Sequence, residues 1–129
     1  MNARIGFCLI ASLFVAQVAA AVEIRLPTTT ARSGTRIEIP VTIGDVTGLN
    51  VTGAHLRIAY DTTKLTAVST ATRGTLGEGW LALDRFMPGE VWFVMANATP
   101  AIGSGVLVRI AFDVKTDASG DAALRFTRA

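Results

Sequence analysis

The stretch "RIEIPVTIG", Arg36–Gly44, has an aliphatic side chain at every second position from Ile37 to Ile43. Because successive side chains of a strand point to opposite faces, this period of two predicts a half-buried β-strand. Pro40 has no N–H to donate to a neighbouring strand, so we expect this strand to lie at a sheet edge or to contain a bulge there. The apolar face of the strand consists of Ile37, Ile39, Val41 and Ile43.

The chain on either side of this stretch repeats the strand pattern in short segments separated by turn residues. These segments are residues 22–27, 53–60, 65–70, 80–86, 91–97, 106–115 and 122–127. The sequence "MPGE" between two of them predicts a hairpin turn centred on Pro88 and Gly89. About eight strands without helical periodicity predict an all-β fold, an antiparallel β-sandwich.

The only histidine of the chain, His55, lies within one of these strand patterns, "NVTGAHLRIAYDTTKL" (Asn50–Leu65). Alternation predicts a core-facing set made of Ala54, Leu56, Ile58 and Tyr60. The opposite set is Gly53, His55, Arg57 and Ala59. We therefore expect His55 on an outer sheet face beside Arg57 rather than in the main core.

The N-terminal residues have the pattern of a secretory signal peptide. Arg4 supplies a positive charge, residues 5–16 are an uncharged apolar run, and "QVAAA" ends in small residues. A transmembrane anchor is the alternative, but it needs about 20 apolar residues. We predict a signal peptide over residues 1–21, cleaved after Ala21 or Ala20, and a single domain over residues 22–129. This domain is predicted to be secreted or held at the cell surface, without a membrane segment of its own.

Several classes of function find little support in the composition. Catalysis requires acid, base and nucleophile groups that converge, whereas here a single histidine accompanies scattered carboxylates, so we predict no catalytic residues. The only cysteine, Cys8, lies within the predicted signal peptide, and the spacing of Asp113, Asp117 and Asp121 does not match a calcium loop. We expect no metal and no other cofactor. The formal net charge of +2, from scattered basic residues, gives no indication of nucleic-acid binding.

Trp80 and Trp92 raise the possibility of carbohydrate binding, because sugar rings can stack on exposed aromatic faces. Packing in the core is the favoured interpretation, since a flat sugar platform would need several aromatic side chains aligned on one polar face. Direct binding of a polysaccharide through these two tryptophans stays open as an alternative.

Two stretches in order resemble the cohesin domain family: "RIEIPVTIGDVTGLNVTGAHLRIAYDTTKL" and "PGEVWFVMANATPAIGSGVLVRIAFDVK". The resemblance covers about residues 22–129 and implies a jelly-roll sandwich of nine strands. It also implies a non-catalytic, secreted or surface-attached module that binds a dockerin module, in assemblies that degrade polysaccharides. Such domains are also known outside dockerin systems, so a structural sandwich in an adhesin or secretion-system component is a further alternative.

The resemblance also implies a partner-binding sheet face built by the strands near residues 53–59 and 91–97. By position, the candidate partner-binding residues are Gly53, His55, Arg57 and Asn97. Gly53 and His55 replace the Asn and Asp of the family pattern, and Asn97 replaces an acidic residue. The family has one more strand after "AALRFTRA", so we expect a domain truncated at its C-terminus. A histidine on this face predicts binding that varies between about pH 5 and 8.

Overall fold

The computed structural model describes residues 22–128 and resolves them into eight β-strands. The predicted signal peptide, residues 1–21, and Ala129 lie outside the described residues. The strands are β1 (Ile24–Arg25), β2 (Arg36–Ile43), β3 (Gly53–Tyr60), β4 (Leu65–Ala71), β5 (Leu81–Met87), β6 (Glu90–Ala96), β7 (Gly105–Val114) and β8 (Leu124–Arg128).

The strands form two four-stranded antiparallel sheets, in the orders β1-β2-β7-β4 and β5-β6-β3-β8. The predicted all-β antiparallel sandwich is confirmed, and each predicted strand segment overlaps one of the observed strands. Within residues 22–128, no helix has the length and apolar character required to span a membrane.

The core lies between the two sheets and is filled by the apolar positions of the alternating strands. In β3, Leu56 and Ile58 are buried as alternation predicts. The largest fully buried side chains are Phe93, Phe112, Leu26, Ile39, Leu56, Ile58, Leu65, Met95, Ile110 and Leu124. Burial of these side chains is the main favourable contribution to folding, because each removes apolar area from water.

Strand β2 accommodates Pro40 because its neighbour on one side is very short. β1 pairs only with Thr42 and Ile43, so Pro40 lies where β1 forms no ladder with β2. A bulge follows between Val41 and Thr42 in the pairing with β7. The expectation of an edge position or a nearby bulge is therefore confirmed.

The β5–β6 connection is a tight hairpin, as the "MPGE" motif predicts. β5 ends at Met87 and β6 begins at Glu90, which leaves Pro88 and Gly89 as the loop. Gly89 has φ of 80°, a conformation that glycine adopts without the steric cost of a Cβ atom. This turn places β5 beside β6 with Arg85 directly opposite Trp92.

Candidate partner-binding face

The outer side of the β5-β6-β3-β8 sheet presents a surface built from cross-strand rows. One row contains Leu81, Ala96 and Gly53, the next Leu83, Val94 and His55, and the third Arg85, Trp92 and Arg57. β8 adds Arg125, Thr127 and Arg128 at its edge of the sheet. We call this set of residues, together with Glu90, the outer face.

Trp92 lies at the centre of the third row between two arginines. The guanidinium carbon of Arg57 is 3.8 Å from the centroid of the indole ring, and that of Arg85 is 6.0 Å away. A guanidinium over a tryptophan face is attracted by the ring quadrupole, which stabilises exposed pairs by about 0.5–1 kcal/mol. The register of β3 and β6 dictates the contact, because Arg57 and Trp92 are directly opposed partners.

Glu90 fixes the other end of the indole. The Trp92 Nε1–H donates to Glu90 Oε1 at 2.7 Å, and the Thr127 hydroxyl donates to Glu90 Oε2 at 2.6 Å. These two hydrogen bonds, helped by the charge of Arg57, lower the pKa of the Glu90 carboxyl below its ordinary value. Glu90 is therefore ionised at neutral pH and ties together β6 and β8.

His55 is half-buried on this face, and its environment opposes protonation. Desolvation lowers the pKa of the imidazole, and the charges of Arg128 and Arg57 lower it further. Nε2 of His55 and Nε of Arg57 are buried and have no hydrogen-bond partner among the described residues. His55 is therefore neutral at pH 7, so the positive charge of the outer face comes from its arginines.

The end of the outer face away from β8 is apolar and open to solvent. Leu81 is 70% exposed, Leu83 65% and Val94 40%. Apolar side chains that are scattered singly are normal on a protein surface, but adjacent ones that project from one sheet face mark a site of contact. Their positions in neighbouring rows of β5 and β6 make them such a group.

The family model of the cohesin domain matches residues 22–128, which is more than four fifths of the chain. The chain belongs to the cohesin domain family. No curated protein matches the sequence.

Solved structures show the same cohesin fold at low identity. A type I cohesin–dockerin complex from Clostridium thermocellum has a TM-score of 0.75 at 20% identity, with 83% of this chain and 82% of that chain covered. The sixth cohesin of scaffoldin B from Acetivibrio cellulolyticus, in complex with a dockerin, gives 0.63 at 19% identity, with 74% and 73% covered. A non-cellulosomal cohesin from Archaeoglobus fulgidus gives 0.58 at 16% identity, with 73% and 81% covered.

The cohesin domain brings three of the four candidate partner-binding residues together on the outer face. Gly53, His55 and Arg57 lie along β3, whereas Asn97 follows the end of β6. The Asn97 side-chain amide donates to the carbonyl of Thr99 at 3.1 Å, so it is used within the loop. Asn97 remains a candidate at the rim of the face rather than part of its rows.

The two tryptophans of the carbohydrate alternative are not brought together. Trp80 packs against the core, whereas Trp92 lies on the outer face with Arg57 over its ring. The preference for core packing is thus right for Trp80 and wrong for Trp92, because Trp92 occupies one of the alternate positions of β6 that point outward. Among residues 22–128, no group of three or more His, Cys, Asp or Glu side chains is arranged to hold a metal ion.

Sequence reasoning missed most of the outer face, although part of the signal was present. In "LALDRF", alternation alone places Leu81, Leu83 and Arg85 on one side of β5. Which side faces solvent became clear only from the pairing of β5 with β6. Arg125 and Arg128 could not be placed, because a bulge between Arg57 and Ile58 shifts the register of β8.

Proposed function

We propose that this protein is a non-catalytic cohesin that binds a dockerin-type module of another protein through its outer face. The observation that carries the proposal is the exposed group formed by Leu81, Leu83 and Val94 beside arginines on one preformed sheet surface. A preformed surface reduces the conformational entropy lost on association, so affinity comes from apolar contact and charge complementarity. The cohesins of similar fold that were solved with a bound dockerin support this class of partner.

We place this role outside the cell, in keeping with the predicted signal peptide. A module that recruits dockerin-bearing proteins would serve assemblies that break down polysaccharides, and this association with carbohydrate is part of the proposal. The non-cellulosomal archaeal cohesin of similar fold supports the second candidate, a structural or adhesive sandwich in which the same face meets another secreted protein.

Direct binding of a polysaccharide has weaker support. A sugar platform needs an accessible aromatic face, and the guanidinium of Arg57 covers one face of Trp92 at 3.8 Å. Trp80 contributes its ring to the packing against the core instead. Quenching of tryptophan fluorescence by acrylamide, with and without soluble glucans, tests this alternative, since glucans that bind Trp92 would protect it.

A matched pair of substitutions tests the proposed function. Leu83→Gln alters the outer face, whereas Ile102→Gln makes the same change in the β6–β7 loop, where Ile102 is 69% exposed. A panel of dockerin modules is titrated against both variants and the unmodified protein. We expect Leu83→Gln to weaken dockerin binding about tenfold or more, since one well-packed apolar contact in an interface contributes about 1–3 kcal/mol. Equal affinities for both variants would rule out the outer face as the binding site.

A further inference from the structure

The outer face consists of two zones that differ in chemistry. The apolar zone is formed by Leu81, Leu83 and Val94. The cationic zone is formed by Arg57, Arg85, Arg125 and Arg128. The boundary between them lies between the rows of Leu83 and Arg85 on β5, which are separated by about 7 Å because alternate residues of a strand lie at that spacing.

Among residues 22–128, no arginine of the cationic zone forms a salt bridge. In residues 22–128 the two salt bridges join Arg25 to Glu23 and Arg36 to Asp113, and both involve strands of the other sheet. The carboxylate of the outer face, Glu90, is already engaged by Trp92 and Thr127.

The cationic zone is also wide. From Arg125 on β8 to Arg85 on β5 the sheet spans three strand spacings, about 14 Å. Both side chains are exposed. Two carboxylates on a partner would therefore need a comparable separation to meet both arginines at once.

We infer that the partner surface bound by the outer face carries at least two carboxylates beside an aliphatic patch. This inference rests on the proposed function, because it specifies the chemistry of the dockerin-type partner. Arginine presents a planar fork of N–H donors that matches a carboxylate in two parallel hydrogen bonds. The apolar zone requires apolar atoms opposite it, since only these remove its area from water without burying an unpaired polar group.

A protein partner explains both zones, whereas a nucleic acid explains only the cationic one. A nucleic-acid backbone would engage the arginines through its phosphates and leave the leucines uncovered. An anionic membrane surface would contact both zones without requiring two carboxylates at a fixed separation. Vesicles and duplex DNA are therefore included as probes in the test.

The test measures the affinity of the complete protein for two classes of dockerin module. One class has carboxylates at its contact surface and the other has lysines and arginines there, and both are measured at low and high salt. We expect the acidic class to bind more tightly, and its affinity to fall as salt increases, because exposed charge pairs are screened.

Two double variants distinguish an effect of the cationic zone on binding from an effect of the net charge of the protein. Arg85→Glu with Arg125→Glu reverses two charges of the zone, and Arg32→Glu with Arg73→Glu makes the same change on exposed loop arginines elsewhere. We expect the first pair to weaken binding of the acidic class about tenfold or more, mainly through slower association. The second pair should leave the affinity within about twofold.

The possible outcomes distinguish this inference from the proposed function. Tighter binding of the basic class, or stronger binding after Arg85→Glu with Arg125→Glu, would overturn the inference and leave dockerin binding intact. If neither class binds with a Kd below about 100 μM, roughly −5.5 kcal/mol, both the inference and the proposed function are overturned. Phosphatidylserine vesicles or duplex DNA that bind more tightly than any dockerin, and lose affinity after Arg85→Glu with Arg125→Glu, would also overturn the inference.

Discussion

Trp92 organises the outer face, because Arg57 lies over its ring and Glu90 accepts its N–H. Trp92→Ala should lower the free energy of unfolding by about 2 kcal/mol, from lost apolar burial and the lost attraction of Arg57. Trp92→Phe keeps a ring beneath Arg57 and should cost less than half as much. Urea unfolding followed by circular dichroism checks both variants, and equal losses would contradict this role of the ring.

His55 should make the stability of the domain depend on pH. The unfolded chain takes up a proton on this imidazole at its ordinary pKa of 6.5, whereas the folded domain lowers that pKa by desolvation and by the charges of Arg128 and Arg57. The unfolded state therefore binds more protons below about pH 6.5, and stability falls as the pH falls through that window.

The measurement compares the protein with His55→Gln. Urea unfolding at pH 7.5, 6.5, 5.5 and 5.0 gives the difference in unfolding free energy between the two, which removes the contribution of carboxylates common to both. We expect this difference to shift steadily in favour of the variant as the pH is lowered. A difference that stays constant from pH 7.5 to 5.0 would show that the folded domain does not resist protonation of His55.

For single residues, alternation correctly predicted that His55 and Arg57 lie on an outer face. It did not predict that His55 is held neutral, because the lowered pKa comes first from desolvation in the folded sheet and then from the charge of Arg128, which lies far along the chain and opposes Arg57 across the β3–β8 pairing. The charge environment of a side chain is a property of strand pairing, which a single strand pattern does not contain.

The β5–β6 hairpin is the element that aligns the apolar zone with the rest of the outer face. Gly89→Ala should destabilise the domain by about 1–2 kcal/mol, because a Cβ atom at φ of 80° clashes with its own backbone. Gly44→Ala is the matched control, since a Cβ there would lie 3.8 Å from the Glu23 carbonyl oxygen, in ordinary contact. Thermal unfolding of both variants tests whether the turn requires glycine at position 89, and equal midpoints would contradict that requirement.

The strands themselves were predicted well, but the burial of their two faces was predicted less well. In β7, alternation predicts a core-facing set that includes Val108, Ile110 and Phe112, and these are buried, yet Leu107 and Ala111 are buried too. β7 lies between β2 and β4, and the Thr75 hydroxyl contacts the Leu107 carbonyl at 3.0 Å. Bulges interrupt the pairing of β7 at Leu107 on the β2 side and beside Ala111 on the β4 side, so strict alternation of buried and exposed positions does not hold along this strand.

At the scale of the whole molecule, we expect substitutions in the core to lower stability, and substitutions in the apolar zone of the outer face to leave stability nearly unchanged. Phe112 is fully buried, and its ring meets that of Tyr60 edge-on with centroids 5.4 Å apart. Phe112→Ala should cost about 3–5 kcal/mol, a large part of the total stability of a domain this size. Leu83→Ala, at a position 65% exposed, should change stability by less than about 0.5 kcal/mol. Chemical denaturation of both variants checks this, and a large loss for Leu83→Ala would mean that the apolar zone is structural.

The sandwich as a whole could be predicted from its order of strands and turns, and the family match over residues 22–128 agrees with it. The outer face could not be assembled in the same way. Its rows combine side chains from β5, β6, β3 and β8, and their alignment follows from register and from one bulge. Local patterns predict elements, whereas the site arises from how distant elements pair.

Backbone amide shifts of the isotope-labelled protein, titrated with a dockerin module that binds it, test the central claim most directly. If the outer face is the binding surface, the perturbed amides will cluster on β3, β5, β6 and β8, around Arg57, Leu83, Arg85 and Val94. The amides of β1, β2, β4 and β7 should then stay unchanged. Perturbations centred on the β1-β2-β7-β4 sheet, with β3 and β6 unaffected, would contradict the account.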